Sequence, residues 1–372
     1  MKYRIEGRTL HFKQPAGTSR GVYTERKIWL IHLSDGQYEG VGECAPLPDL
    51  SCDAGPDYED ILNKVCADFC QRGEIDYEAL RDYPSMLFGL ETALLDLRRE
   101  GEKERRSKER RSKERRREGV LFDTAFSRGE VGIPINGLVW MGSYDEMLQR
   151  MEQKLEQGFR CVKLKIGAID FDQELDLVKR IRERFSFHEV ELRLDANGAF
   201  SMESGVGSQE SGDRSQEPEA LYKLELLSQY AIHSIEQPIK AGQWAYMAEL
   251  CRESPLPIAL DEELIGVNDP EMKRHMLNVI KPRYIILKPS LHGGMQGCRE
   301  WISVAKEQGI GSWITSALES NIGLNAIAQF AADVYGDDIR MPQGLGTGQL
   351  FTDNIDMGLE IRGDRLWRKV RK

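Results

Sequence analysis

The chain has no uninterrupted apolar run approaching the ~18 residues of a membrane span. Its opening stretch, MKYRIEGRTLHF, alternates charged and apolar residues where a secretory leader would carry a continuous apolar block. Both absences argue against a membrane partner and lead us to expect a cytoplasmic protein. Cysteine occurs seven times, an odd number, with no C-x-x-C pair, and histidine only six times. That count argues against a disulfide framework and a zinc site and leaves reduced thiols as the expectation. No G-x-G-x-x-G opens a helix, so the dinucleotide-binding fingerprint is missing as well.

What is present is length, a sizeable apolar fraction and uneven charge. At 372 residues with 40% hydrophobic content, the chain exceeds one ordinary domain and can build more than one core. The net charge of −10 conceals a basic stretch, residues 98–118, in which twelve Lys/Arg face six Asp/Glu. Within it ERRSK occurs at 104–108 and again at 109–113, a five-residue period that matches no helical core stripe. The stretch reads as a solvated, partly helical or disordered excursion; a nucleic-acid tether is the alternative, disfavoured by the absence of any aromatic residue to stack a base.

The periodicities divide the chain into an N-terminal α+β domain, residues 1–130, and a (β/α) barrel, residues 131–372. In the first, alternating segments at Tyr3 to Phe12, Val22 to Leu33 and Tyr38 to Cys44 predict a three-stranded meander with a turn at Asp35-Gly36. Helices are expected at Tyr58 to Cys70 and Pro84 to Arg98. In the second, eight short apolar runs predict parallel strands at 133–139, 161–166, 191–195, 232–236, 257–260, 283–288, 310–315 and 339–344, with helical patterns between most of them. The fold class is therefore α/β, a TIM-type barrel with an N-terminal cap.

Ionisable residues follow five of these runs or lie within them: Lys163 and Lys165 in VKLKIG, Asp195 in RLDANGAF, Glu236 in SIEQPI, Asp261 in ALDEEL and Lys288 in IILKPS. From Lys165 onward they are 30, 41, 25 and 27 residues apart, and the long interval contains a 16-residue Ser/Gly/Glu stretch, Met202 to Glu217, that reads as an insert. A strand, helix and two loops consume about that many residues per unit, so the set falls on the C-terminal rim of the barrel. Three carboxylates on consecutive strand ends repel one another unless a cation holds them. Oxygen-only ligands select a hard ion, Mg²⁺ before Ca²⁺. Lys163 and Lys165 alternate with Leu164, so both amines point into the barrel, and Lys288 lies across its mouth. Desolvation and a nearby cation are expected to lower such lysine pKa values, and the combination suits proton abstraction next to a carboxylate.

The set VKLKIG, DANGAF, IEQPI, DEE and LKPS resembles the muconate lactonising enzyme branch of the enolase superfamily over nearly the whole chain. Within that branch, GECAPLPDLS, GLETALLDL, FDTAFSRGE, IPINGLVWMG and WITSALESNIGL are most similar to the o-succinylbenzoate synthase family. A lysine base beside a divalent ion is that superfamily's known strategy. The resemblance implies Asp195, Glu236 and Asp261 as Mg²⁺ ligands (Mn²⁺ substituting), Lys165 as base, Lys163 beside it, and Lys288 as a cation facing the developing charge. It implies dehydration of 2-succinyl-6-hydroxy-2,4-cyclohexadiene-1-carboxylate, a small-molecule carboxylate, in menaquinone biosynthesis. Arg193, Thr315, Ser316 and the backbone at Gly344 are the expected substrate contacts. Thr18, Ser19 and Arg20 belong to an expected lid in QPAGTSRG, with a second lid segment at Ala45 to Ser51. N-acylamino acid racemisation or dipeptide epimerisation stays open, although GLGTG at Gly344 to Gly348 lacks the Asp-x-Asp of the epimerases. A non-catalytic metal-binding or nucleic-acid-binding protein is the reading from another class, and the oligomeric state is left open.

Overall fold

The computed structural model describes residues 1–18, 21–109, 119–203 and 218–369. The meander forms as expected from β1 (Lys2–Thr18), β2 (Gly21–Ser34) and β3 (Glu39–Cys44), all antiparallel. Asp35 makes the turn by accepting hydrogen bonds from the amides of Gln37 and Tyr38, both at 2.8 Å. Helices α1 (Tyr58–Arg72) and α2 (Pro84–Glu109) cover one face of this sheet, Leu62 and Leu90 sharing a core with Trp29, Ile31 and Leu33. The glycines of GVGEC explain how closely α2 lies. A Cβ at Gly42 would come within 1.9 Å of the Gly89 carbonyl oxygen, and one at Gly40 within 2.2 Å of the Ala93 carbonyl oxygen. Only glycine at those two strand positions admits the helix backbone.

Helix α2 continues past its expected end at Arg98 to Glu109, taking in the start of the basic repeat. Glu, Lys and Arg are good helix formers, so the backbone has no reason to stop where the apolar stripe does. The remainder of the repeat, Ser19 and Arg20 of the lid, and positions 204–217 of the second insert lie outside the described residues.

The barrel strands are β5 (Gly137–Val139), β6 (Cys161–Lys165), β7 (Glu191–Asp195), β8 (Ser234–Glu236), β9 (Ile258–Leu260), β10 (Tyr284–Leu287) and β11 (Gly311–Ile314), in parallel sequential order. The eighth position is not a regular strand. Single parallel bridges, Thr315 to Gly344 and Ile135 to Gln343, span the gap there. The run expected at 133–139 also divides: β4 (Ile133–Pro134) pairs with β13 (Arg365–Arg368) of a C-terminal hairpin whose other arm is β12 (Leu359–Arg362). Pro134 has no N–H to continue a ladder, which separates the two pieces. The chain just before the hairpin returns to the cap, where Lys13 N donates to the Leu350 carbonyl at 2.8 Å.

Two buried cap carboxylates join the domains at helix starts. Glu43, on β3, accepts from Ser320 N at 2.7 Å and Gly323 N at 2.8 Å, where α9 (Asn321–Tyr335) begins. Glu91, on α2, accepts from Met295 N at 2.6 Å and Gln296 N at 3.0 Å, where α8 (Gly294–Glu307) begins. Free N–H groups and the positive end of the helix dipole make these starts natural partners for acids. Burial nevertheless raises the carboxyl groups from 4.5 to about 7 at Glu43 and about 8 at Glu91, with the amide hydrogen bonds opposing it.

An acid whose pKa is raised by folding contributes stability that is complete below its unfolded value and lost as pH rises through the folded one. The thermal midpoint should therefore fall between about pH 5 and pH 8, and the fall should be shallower in Glu91→Gln. A midpoint that rises over this window, or equal slopes in the two proteins, contradicts this account of the joint.

Candidate active site

Strand register brings the predicted residues together. Lys165 lies beside Asp195 across β6 and β7, and Asp195 beside Glu236 across β7 and β8. Asp261 and Lys288 follow β9 and β10 directly. Lys163 is ion-paired with Glu236 and, at 3.0 Å, with Asp195. Lys165 Nζ donates to Asp195 Oδ2 at 2.9 Å, and Lys288 pairs with Asp261. The three acids are almost completely buried, and the lysine side chains are only 12–14% exposed.

This arrangement reverses one expectation. Burial pulls the pKa of Lys163 and Lys288 down, but the facing carboxylates raise both by more, so each ends above the ordinary lysine value. Burial likewise pushes Asp195 and Asp261 up. Lys163 and Lys165 overcome this at Asp195, and chiefly Lys288 at Asp261, leaving both well below the usual carboxylate range. Glu236 goes the other way, because burial and then the neighbouring Asp195 charge both disfavour its ionised form. As placed, these amines hold protons, and the reason is mutual pairing.

Two oxygens remain over. Glu236 Oε1 and Asp261 Oδ1 are buried and have no hydrogen-bond partner among the described residues. Among the described residues no three metal-ligating side chains are gathered at metal-holding spacing, since each of the three acids is turned toward an ammonium group. The donor set still suits a hard divalent cation: it is all carboxylate, it sits on adjacent strand ends, and two of its buried oxygens lack a partner.

A cavity of about 530 Å³ opens over this rim. Its floor includes Lys163, Lys165, Asp195, Glu236 and Lys288. The predicted Thr315, Ser316 and Gly344 are also in its wall, with Trp140 and Leu318 from the barrel and Gln14, Tyr23, Leu47, Pro48 and Leu50 from the cap. The Thr315 hydroxyl is already engaged, donating to the Gly344 carbonyl at 2.9 Å. Of the three lid residues Thr18, Ser19 and Arg20, only Thr18, at the end of β1, has a described backbone.

Arg193 must be corrected. It lies one layer below Asp195 on the same strand face, 1% exposed, and does not line the cavity. Its guanidinium pairs with Glu191 at 2.7 Å, donates to the Pro342 carbonyl at 2.9 Å and stacks 4.3 Å from the Trp313 ring centroid. Two residues along a strand return to the same face but drop a full layer, so alternation alone could not distinguish floor from foundation.

Three participants were missed. Asn197 Oδ1 accepts from Lys165 Nζ at 2.7 Å, and Asn197 Nδ2 donates to Glu262 at 3.0 Å. The Asn197 backbone has φ +45°, a left-handed turn that Asn tolerates and that folds its amide back over the rim. The signal was the Asn-Gly pair inside DANGAF. Trp140 places its ring centroid 5.8 Å from Lys165 Nζ, and nothing in a lone aromatic after a strand announces that. The third is His292: buried, with its pKa pushed down to about 3, it accepts the Lys288 amide at Nδ1, 2.9 Å away, and so is a neutral ring that fixes the turn carrying the lysine.

Two substitutions separate these roles. Arg193→Met should cost several kcal/mol of stability, because it leaves Glu191 without its partner, with little change in KM of the folded fraction. Asn197→Ala should leave stability nearly unchanged and lower kcat by about ten-fold or more, since it frees the Lys165 amine from its orientation. A raised KM in Arg193→Met would restore a substrate-binding role.

Comparison with known proteins agrees with the geometry. Residues 146–354 match the family model described as enolase C-terminal domain-like, and residues 18–97 match the one described as MenC, N-terminal domain. The chain is 43% identical to an o-succinylbenzoate synthase from Desulfotalea psychrophila, with 96% of both chains covered. It is 30% identical to an N-succinylamino acid racemase from Thermus thermophilus, over 82% of this chain and 75% of that one. The crystal structure of MenC from D. psychrophila superposes with a TM-score of 0.77 at 38% identity, covering 99% of each chain. A buried lysine and carboxylate rim under a two-domain cavity, together with these matches along the full length, places the chain in the o-succinylbenzoate synthase family of the enolase superfamily.

Proposed function

We propose that this chain catalyses the dehydration of 2-succinyl-6-hydroxy-2,4-cyclohexadiene-1-carboxylate to o-succinylbenzoate, a step of menaquinone biosynthesis. The observation that carries this reading is the position of the Lys165 amine, held by Asp195 and Asn197 and open to a cavity with an apolar upper wall. Asp195, Glu236 and Asp261 would hold Mg²⁺ or Mn²⁺, whose charge favours the anionic form of a bound carboxylic substrate.

Lys165, as the neutral amine, takes the proton alpha to the substrate carboxylate, and the C–H electron pair becomes the new ring double bond as the C–OH bond breaks. The proton then passes from Lys165 to the departing hydroxyl on the same face, so water leaves and the ring becomes aromatic. Lys163 adds positive charge beside the base and is itself paired with Glu236 and Asp195. Lys288 faces the ring from the far side and offsets the charge that develops there. Leu47, Leu318 and Trp140 exclude water from the reacting face.

Racemisation of an N-succinylamino acid is the second reading, favoured by amines on both sides of the cavity and by the relationship to the Thermus racemase. The missing Asp-x-Asp removes the receptor for a free ammonium group, which neither the cyclohexadiene nor an N-acylated substrate carries. All seven cysteines are unpaired, and no helix among the described residues is long and apolar enough to cross a membrane; the first of these supports a reducing compartment such as the cytoplasm.

Chelation should abolish turnover and Mg²⁺ or Mn²⁺ should restore it. Lys165→Ala should lose both dehydration and exchange of the substrate's alpha proton, whereas Lys288→Ala should lose turnover by removing charge stabilisation. Full turnover in metal-free solution, or alpha-proton exchange surviving in Lys165→Ala, would sink the proposal.

A further inference from the structure

The cap residue Arg26, on β2, is 4% exposed, and among the described residues its guanidinium makes no direct pair with a carboxylate. Its donors are used on main-chain carbonyls from both domains. On the cap side Nη1 donates to Pro46 O and Nη2 to Ala45 O, both at 2.5 Å; on the barrel side Nη2 reaches Ala317 O and Nε reaches Leu318 O, both at 3.4 Å. Its Nη1 also lies 3.4 Å from the neighbouring Lys27 O. A buried charge is costly unless its hydrogen bonds are met, and carbonyls converging from two loops meet them only while those loops stay together. Glu319 and Glu43 balance the charge from a distance.

The residues beside those carbonyls form the cavity wall. Leu47 follows Pro46 on the cap loop, and Ala317 and Leu318 are the barrel loop itself. Leu318 has φ +65°, in the left-handed region that side-chain-bearing residues seldom adopt, so something must hold it there. Arg26 holds its carbonyl, and Glu319 holds the loop from the other side by accepting from Ala317 N at 2.6 Å. The second Glu319 oxygen accepts from Ser290 Oγ at 2.6 Å, two residues beyond Lys288. One chain of contacts thus runs from the cap loop through Arg26 and the 317–319 loop to the turn that carries an active-site lysine.

We infer that Arg26 is a positioning residue that locks the cap segment 45–47 to the barrel loop 317–318 and thereby sets the apolar wall against which the substrate's ring and succinyl arm pack. The inference rests on the dehydratase reading for the identity of the ligand, but not for the coupling itself. Lysine cannot replace the arginine, because a single ammonium lacks the planar fork that spans the two loops. A simple domain staple is available for contrast: Glu91 joins α2 to α8 and does not line the cavity.

Arg26→Lys should raise KM for the cyclohexadiene about ten-fold or more, with kcat within about three-fold, and weaken o-succinylbenzoate binding by the same factor as KM. Glu91→Ala should lower the thermal midpoint while leaving KM within about two-fold. If the two variants behave alike, losing stability without a change in KM, Arg26 is only a staple and the inference fails. Native-state hydrogen exchange on the ligand-free wild-type protein tests the coupling even if Arg26→Lys does not fold. Amides of residues 45–50 and 316–320 should open as one unit with the same denaturant dependence, and independent opening overturns the proposal. Failure of o-succinylbenzoate to bind the wild-type protein would count against the dehydratase reading, while the exchange result would still decide the role of Arg26.

Discussion

Six ionisable groups buried on one rim set the terms for the rest of the molecule. Asp195, Glu236 and Asp261 face Lys163, Lys165 and Lys288 with their side chains almost entirely withdrawn from water. Each group that is ionised there loses several kcal/mol of hydration, and only its opposite neighbours restore it, so removing the partner of an ionised group leaves a bare charge at a cost of about 3–5 kcal/mol. That mutual dependence explains why the lysines lie so close to the acids and why Lys163 and Lys288 hold their protons. A divalent cation competing for the same oxygens would loosen that hold.

The barrel provides the rim but only part of the cavity. Leu47, Pro48, Leu50 and Tyr23 come from the cap, so the site depends on how the two domains meet. That joint is built from polar groups aimed at backbone: Glu43 and Glu91 at helix starts, and Arg26 on carbonyls. Directional bonds of this kind define an orientation as well as a contact area, which a purely apolar joint would define less sharply. The glycine notch between α2 and β3 serves the same end, fixing the helix that carries Glu91 against the strand that carries Glu43.

Much of this was legible in the sequence because barrel chemistry is periodic. The acids and lysines recur at one position of a repeating unit, and register then places Lys165, Asp195 and Glu236 side by side. Periodicity failed where geometry turns on a single residue. Arg193 has the right strand face and the wrong layer, Asn197 reaches the site only through a left-handed turn, and Pro134 splits what reads as one strand. The strand expected at 339–344 does not form as a regular one: single bridges, and no continuous ladder, span that position. Glu43 and Glu91 lie inside motifs that carry the family resemblance, but nothing marked them or Arg26 as the domain joint, because burial of a charged residue on a loop carbonyl or a helix start is a tertiary event with no local pattern.

The central claim is that the apolar wall and the lysine pair serve elimination of water. It is tested most directly by wild-type enzyme with Mg²⁺ in D₂O, given the cyclohexadiene and, separately, an N-succinylamino acid. Efficient conversion of the cyclohexadiene to o-succinylbenzoate is the expected result. Efficient racemisation of the amino acid derivative, with deuterium entering both enantiomers while the cyclohexadiene is left unchanged, would contradict it and assign two-base chemistry to Lys165 and Lys288.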